Sequence, residues 1–153
     1  MDPLISRYAG YLKKGRQDLI DKVQGMSHED LHFNENGVLN STAMLLKHAE
    51  RAERYLIHHL VAGDPMPQPK IQPFEAGDEK LDELLAALEK SQERTMEILE
   101  ALSDDDLLKE KELRLSSGTR NVTNEWGILH TLEHEAQHMG QIIVLKKLAQ
   151  AHS

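Results

Sequence analysis

Three histidines have the type and spacing to hold one metal ion. His134 and His138 stand four residues apart in Trp126-Gly-Ile-Leu-His-Thr-Leu-Glu-His-Glu-Ala-Gln-His-Met-Gly-Gln-Ile142. That step turns two imidazoles onto one face of a helix. A third, His48, lies in Leu46-Lys-His-Ala-Glu-Arg-Ala-Glu-Arg-Tyr55 and completes a three-nitrogen cap where its helix faces the other. Three imidazoles leave one side of the ion open, and they suit Zn²⁺, Ni²⁺ or Fe²⁺ without choosing among them. An ion so held lowers the pKa of a thiol or water on its open side. The chain has no cysteine, so a thiol has to come from outside as a small molecule.

Helical phase decides whether these side chains face inward. Steps of about 100° put His134 and His138 on one stripe with His130, Gln141, Leu145 and Leu148, and the leucines commit that stripe to the core. His48 shares its stripe with Met44, Leu45, Ala52 and Tyr55, so it also points inward. A fourth ligand at His130 would close the site. His130, Gln141 and Tyr55 are therefore expected to line the pocket or support the ligands. His59 is on the His48 stripe but about 16 Å along the axis, too far to share its ion. His28, His32, His58 and His152 fall in caps, polar faces or the tail and are expected to be solvated. Tyr55 and Trp126 also fit as core aromatics. Glu135-Ala-Gln-His138 has the spacing of a di-iron ligand pair, but no second copy occurs. Asp104 to Asp106 read as a helix-start charge run rather than a calcium loop.

Four amphipathic stretches must position these groups. The first runs from Pro3 to about Val23, and Ser27 with Asp30 then caps a short turn. Ser41 caps a second stretch that ends near Ala62, before Gly63. Residues 64–77 hold four of the five prolines and read as a long extended crossover, about 40 Å at full reach. Asp78 is expected to cap the third stretch, which runs to Leu102, and Ser103 with Asp106 forms another capping box. Leu113 to Val122 reads as a loop with a little extended structure, before Thr123 caps a last helix over Asn124 to Ala149. His48 then lies about 21 Å before the end of its helix, and His134 and His138 about 15 to 21 Å after the start of theirs. These depths match if the two helices are antiparallel. The expected fold is all-α: one four-helix-bundle domain over residues 1–153, up-down-down-up, with the proline-rich crossover between the second and third helices.

Composition narrows the function classes. At 153 residues the chain has the size of one domain, and 39% hydrophobic against 29% charged residues is a globular balance. The net charge of −8 comes without a basic stripe, so nucleic acid is not expected as a partner. There is no apolar run of membrane length and no secretory pattern at the N-terminus, so a cytoplasmic protein without a membrane partner is expected.

The two segments quoted above resemble the ligand helices of the DinB-like, or YfiT-like, metalloprotein superfamily, and the likeness spans nearly the whole chain in helix order and spacing. The resemblance implies an up-down-down-up bundle, frequent homodimers, and a metal on the positions matching His48, His134 and His138. Members with assigned roles include transferases and isomerases that use low-molecular-weight thiols. The leading expectation is a metal-dependent enzyme that activates a small thiol or water against a small-molecule electrophile, as a thiol transferase or a hydrolase. The competing expectation is a non-catalytic stress-response or binding module with a structural or sensory metal. Exposed apolar residues on the first and third helices are the expected homodimer face.

Overall fold

The computed structural model describes residues 1–67 and 77–153. The crossover is thus described only at its ends, and Pro69 and Pro73 lie outside the described residues.

Helix α1 spans Pro3–Val23. Pro3 suits the first helical position, where its missing N–H would have no partner anyway. The free amides of Leu4 and Ile5 donate to the Asp104 carboxylate at 3.2 and 3.0 Å. The Asp104–Asp106 run thus serves partly to cap a distant helix. Ile5, Ala9, Leu12, Leu19 and Val23 form the buried stripe of α1, and Arg16 lies on that same stripe. Gly25, at φ 74°, turns the chain out of the helix.

Ser27 Oγ accepts from the Asp30 amide at 3.1 Å and opens the short helix α2, His28–Leu31. Helix α3, Thr42–Glu53, begins on Ser41, whose Oγ accepts from the Met44 amide at 3.1 Å. It continues without a break into a π-helical turn, Arg54–His59. Helix α4, Leu81–Ala101, is preceded by Lys80 rather than capped by Asp78. Asp78 is instead paired with His28 at 2.7 Å. The capping box of Ser103 and Asp106 opens a 3₁₀ turn, Asp104–Leu108. The last helix, α5, spans Asn124–Ala151, with Thr123 Oγ1 accepting from the Trp126 amide at 3.0 Å.

The all-α expectation needs one correction. Residues 110–123 form an antiparallel hairpin, β1 Glu110–Leu115 and β2 Gly118–Thr123, in the register Leu113↔Arg120 and Leu115↔Gly118. Ser116 and Ser117 make the two-residue turn, and Gly118 adopts φ 130°. The buried Leu113 and Val122 pack with Leu60, Tyr55 and Trp126, which fastens the hairpin to the helical body.

The mostly helical body is assembled from contacts of α1 with α5, α5 with α3, α3 with α4, and α4 with α1. Tyr8 Oη donates to Glu125 at 2.8 Å near the starts of α1 and α5, and Lys146 Nζ donates to the Lys22 carbonyl at 2.8 Å near their ends. Between α3 and the residues leading into α4, Lys47 meets Glu79 at 2.7 Å, and farther along, His58 of the π-helical turn meets Thr95 of α4 at 2.9 Å. Gly127 allows the closest approach, since a Cβ there would lie 2.9 Å from the Leu56 carbonyl oxygen. Among the described residues no helix is long and apolar enough to cross a membrane.

Two apolar clusters fill the interior. One gathers Leu19, Val23, Leu46, Leu88 and Ile142. The other gathers Ile5, Leu12, Ile57, Leu99 and Ile128. A polar layer lies between them. The Arg16 guanidinium donates through Nη2 to Glu53 of α3, through Nε to Glu135 of α5 at 2.6 Å, and through Nη1 to the Leu88 carbonyl of α4 at 2.7 Å. Thr95 Oγ1 donates to the other Glu53 oxygen and accepts from His58 Nε2. Arg16, Glu53 and Glu135 are all at least 95% buried. Truncating Arg16→Ala leaves two carboxylates buried without their counter-charge, so it is expected to cost about 3–5 kcal/mol in urea denaturation. The triple change Arg16→Met, Glu53→Gln, Glu135→Gln should recover most of that loss.

Candidate metal centre

The rings of His48, His134 and His138 gather between α3 and α5. The centroids of His134 and His138 are 4.2 Å apart with the rings nearly perpendicular, and those of His138 and His48 are 6.0 Å apart. His138 is buried, while His48 and His134 are half-buried. The inner stripe of α5 runs through Ile128, Thr131, Glu135, His138, Ile142, Leu145 and Ala149. His134 and His130 therefore occupy its flank rather than its centre, which is the side on which a pocket opens.

That pocket has a volume of about 230 Å³ and is lined by His48, His134, His130, Tyr55 and Trp126, among others. His130 stacks on Trp126 with centroids 4.6 Å apart, and its Nδ1 lies 3.6 Å from Glu133. Tyr55 Oη donates to the Arg114 carbonyl of β1 at 2.9 Å, and the Arg120 guanidinium lies over Trp126 at 4.9 Å. Gln141 does not line this pocket; it sits behind His138, whose Nδ1 donates to Gln141 Oε1 at 2.8 Å.

This hydrogen bond fixes the chemistry of His138. With its proton on Nδ1, the ring keeps a bare lone pair on Nε2. His138 Nε2 and His134 Nδ1 are both buried without a hydrogen-bond partner among the described residues. An unpaired buried nitrogen costs about 1–3 kcal/mol, and two of them share one neighbourhood. Burial, followed by mutual repulsion among the rings, pushes His134 down to about 4. Burial also lowers His48, with His138, Arg51 and Lys47 adding to the effect. In His138 burial outweighs the opposing bond to Gln141. All three are therefore neutral at physiological pH, the form that ligates metal. Borderline nitrogen donors with bare lone pairs fit a divalent transition ion.

Other expectations change in detail. His58 is buried rather than solvated, donating to Thr95 Oγ1. The π-helical turn explains this, because one extra residue per turn rotates everything after Glu53 relative to an α-helical phase. His59 Nδ1 donates to the Asp64 carbonyl at 2.7 Å and closes the same helix. His28 and His32 are not merely solvated either: together with Asp78 they bring three donor atoms within 4.8 Å of one another, closer than the inner three come. Glu135 is turned to Arg16 and away from the histidines, which removes it from any di-iron arrangement. Arg51, Leu113 and Leu115 line the pocket unforeseen. Arg51 could have been found three residues after His48, and the leucines by their alternation with Glu112 and Arg114.

Residues 8–150 match the sequence profile of the mycothiol-S-transferase family. The chain belongs to that family. The family is DinB-like, in agreement with the resemblance of the two histidine segments. A crystal structure titled as a conserved protein from Enterococcus faecalis superposes on this member with a TM-score of 0.78 at 14% identity, covering 99% of each chain. At that identity the likeness establishes a shared fold. No curated protein matches.

The lowered values set a pH dependence. Below the ordinary imidazole value of 6.5, an unfolded His134 takes up a proton that the folded one refuses until about pH 4. The metal-free protein should therefore lose stability as pH falls from 6.5 towards 4, and none from this source above 6.5. Imidazole NMR should show His134 still neutral at pH 5.5.

Proposed function

We propose that this protein is a metal-dependent thiol S-transferase that joins a low-molecular-weight thiol of the mycothiol class to a small electrophile. The observation that carries the reading is the pair of buried, unpartnered nitrogens of His134 and His138 beside an open pocket. His48, His134 and His138 would hold one divalent ion, and Zn²⁺, Ni²⁺ and Fe²⁺ all fit their donor set. When bound, the ion supplies a Lewis acid that makes a thiol acidic enough to react near neutral pH.

The chain's own residues do the rest. Gln141 Oε1 holds the His138 proton on Nδ1 and keeps Nε2 free. Trp126, Tyr55, Leu113 and Leu115 give the pocket apolar and aromatic walls. His130 lines the same pocket and would take the proton released when the thiol sulfur bonds to the electrophile and the leaving group departs. Hydrolysis by an activated water is the close variant. The open pocket disfavours a closed structural or sensory site.

The scaffold belongs to the same proposal: one domain, a four-helix bundle of α1, α3, α4 and α5 in up-down-down-up order. It is supported by the level contacts of α1 with α5 and of α3 with α4. A cytoplasmic setting fits, because thiols stay reduced there. A homodimer is part of the reading. Among the described residues, large apolar side chains left exposed include Tyr11 on α1, Leu129 and Val144 on α5, and Val38 and Leu39 before α3, with none on α4, so such a face would use α5 rather than the third helix of the bundle.

Metal-loaded protein incubated with a small thiol and a chromogenic aryl halide should form thioether at least 100-fold faster than the His134→Ala variant, and equal rates would overturn the reading. Gln141→Ala should retain the fold and weaken metal affinity about 10- to 100-fold, read by competition with a chelating dye.

A further inference from the structure

The geometry points to a second divalent-cation site outside the pocket, built by His28, His32 and Asp78 and independent of the inner histidines. Their three donor atoms lie within 4.8 Å of one another. Donors sharing one Zn²⁺ stand about 3–3.5 Å apart, given metal–nitrogen bonds of about 2.0–2.1 Å, so small side-chain rotations close the set.

Each donor is held by the fold. His28 and His32 are four residues apart at the two ends of α2, with ring centroids 4.5 Å apart. The turn that carries them is capped by Ser27 and anchored by the fully buried Leu31. His32 Nε2 donates to the Glu79 carbonyl at 2.8 Å. A carbonyl only accepts, so this bond places the proton on Nε2 and leaves Nδ1 with the lone pair. A histidine whose far nitrogen donates to a backbone carbonyl is prepared as a ligand. Glu79 is itself fixed by Lys47 at 2.7 Å, and the neighbouring Asp78 points its Oδ1 at His28 Nε2, 2.7 Å away.

In the metal-free arrangement a proton joins His28 to Asp78. A divalent ion replaces that proton, gaining one imidazole and one carboxylate, and His32 supplies the third ligand. His28 and Asp78 are largely exposed, so water completes the shell and reaches the site freely. Two imidazoles with one carboxylate select zinc-like ions over Mg²⁺ or Ca²⁺. The ion would staple the residues leading into α4 to α2, a structural role distinct from the chemistry of the pocket.

The test titrates Zn²⁺ alone into the full chain and counts bound equivalents by equilibrium dialysis and elemental analysis. In a His134→Ala/His138→Ala background, one equivalent should remain. Adding His28→Gln or Asp78→Asn should remove it or weaken it at least tenfold, and Mg²⁺ should not compete. Imidazole NMR should show Zn²⁺ perturbing the rings of His28 and His32. Uptake unchanged by His28→Gln and Asp78→Asn, or no zinc retained once the inner histidines are gone, would overturn the site. Because the inner pair is absent from that background, failure of the inner centre and failure of this one are read separately.

Discussion

Arg16 is a cation without water. Its guanidinium lies between two apolar clusters and is neutralised by Glu53 from α3 and Glu135 from α5, while the Leu88 carbonyl of α4 takes a further N–H. A buried ion pair contributes little net stability against its desolvation, but a mispaired one is costly. Arg16 therefore acts less as glue than as a register pin: sliding either glutamate-bearing helix by one turn would strand a charge. The pin also governs the candidate metal centre. Glu53 follows His48 by five residues on α3, and Glu135 lies between His134 and His138 on α5. Holding both glutamates on one guanidinium holds the two histidine-bearing segments at one height.

Two irregular elements then shape the space beside those histidines. The π-helical turn lets α3 continue while rotating His58 into the polar layer, where it backs Thr95 and through it Glu53. The hairpin supplies the outer wall. Leu113 anchors it in the cluster with Leu60 and Val122, and Tyr55 and Trp126 grip it through Arg114 and Arg120. Arg51 adds one cation to the lining of a pocket in a chain of net charge −8.

Much of this was legible in the residues. Caps at Ser27, Ser41, Ser103 and Thr123 can be read because a hydroxyl ahead of a periodic stretch has one local task, and all four accept the amide three residues on. Phase puts His134 and His138 on the core side of α5 and turns His48 inward; the structure buries His138 and leaves His48 and His134 half-buried. What phase could not supply was the bulge after Glu53, since a π turn changes the period without any distinctive residue, and so His58 was read on the wrong face. The buried role of Arg16 left a trace, a charged residue on an otherwise apolar stripe, but its partners lie 37 and 119 residues away and no local rule pairs them. Asp78 looked like a helix cap by type, yet the helix begins after Lys80 and the carboxylate turns to His28, a preference set by tertiary proximity.

The contrast between His58 and His138 shows what separates a structural histidine from a candidate ligand. Both are buried, and in both burial lowers the ring below its ordinary value. Depth and acidity therefore cannot tell them apart. Hydrogen bonding can. His58 gives its Nε2 proton to Thr95 and to the Ser91 carbonyl, and so closes a network that the polypeptide itself completes. His138 gives its Nδ1 proton to Gln141 and is left with a bare Nε2 near the His134 Nδ1, which has no hydrogen-bond partner among the described residues either. A fold bears the cost of one unsatisfied ring nitrogen easily enough, but here two stand on adjacent turns, with a third imidazole across from them, and no donor among the described residues answers either. A metal ion can take several imidazole lone pairs at once, which a single hydrogen-bond donor cannot.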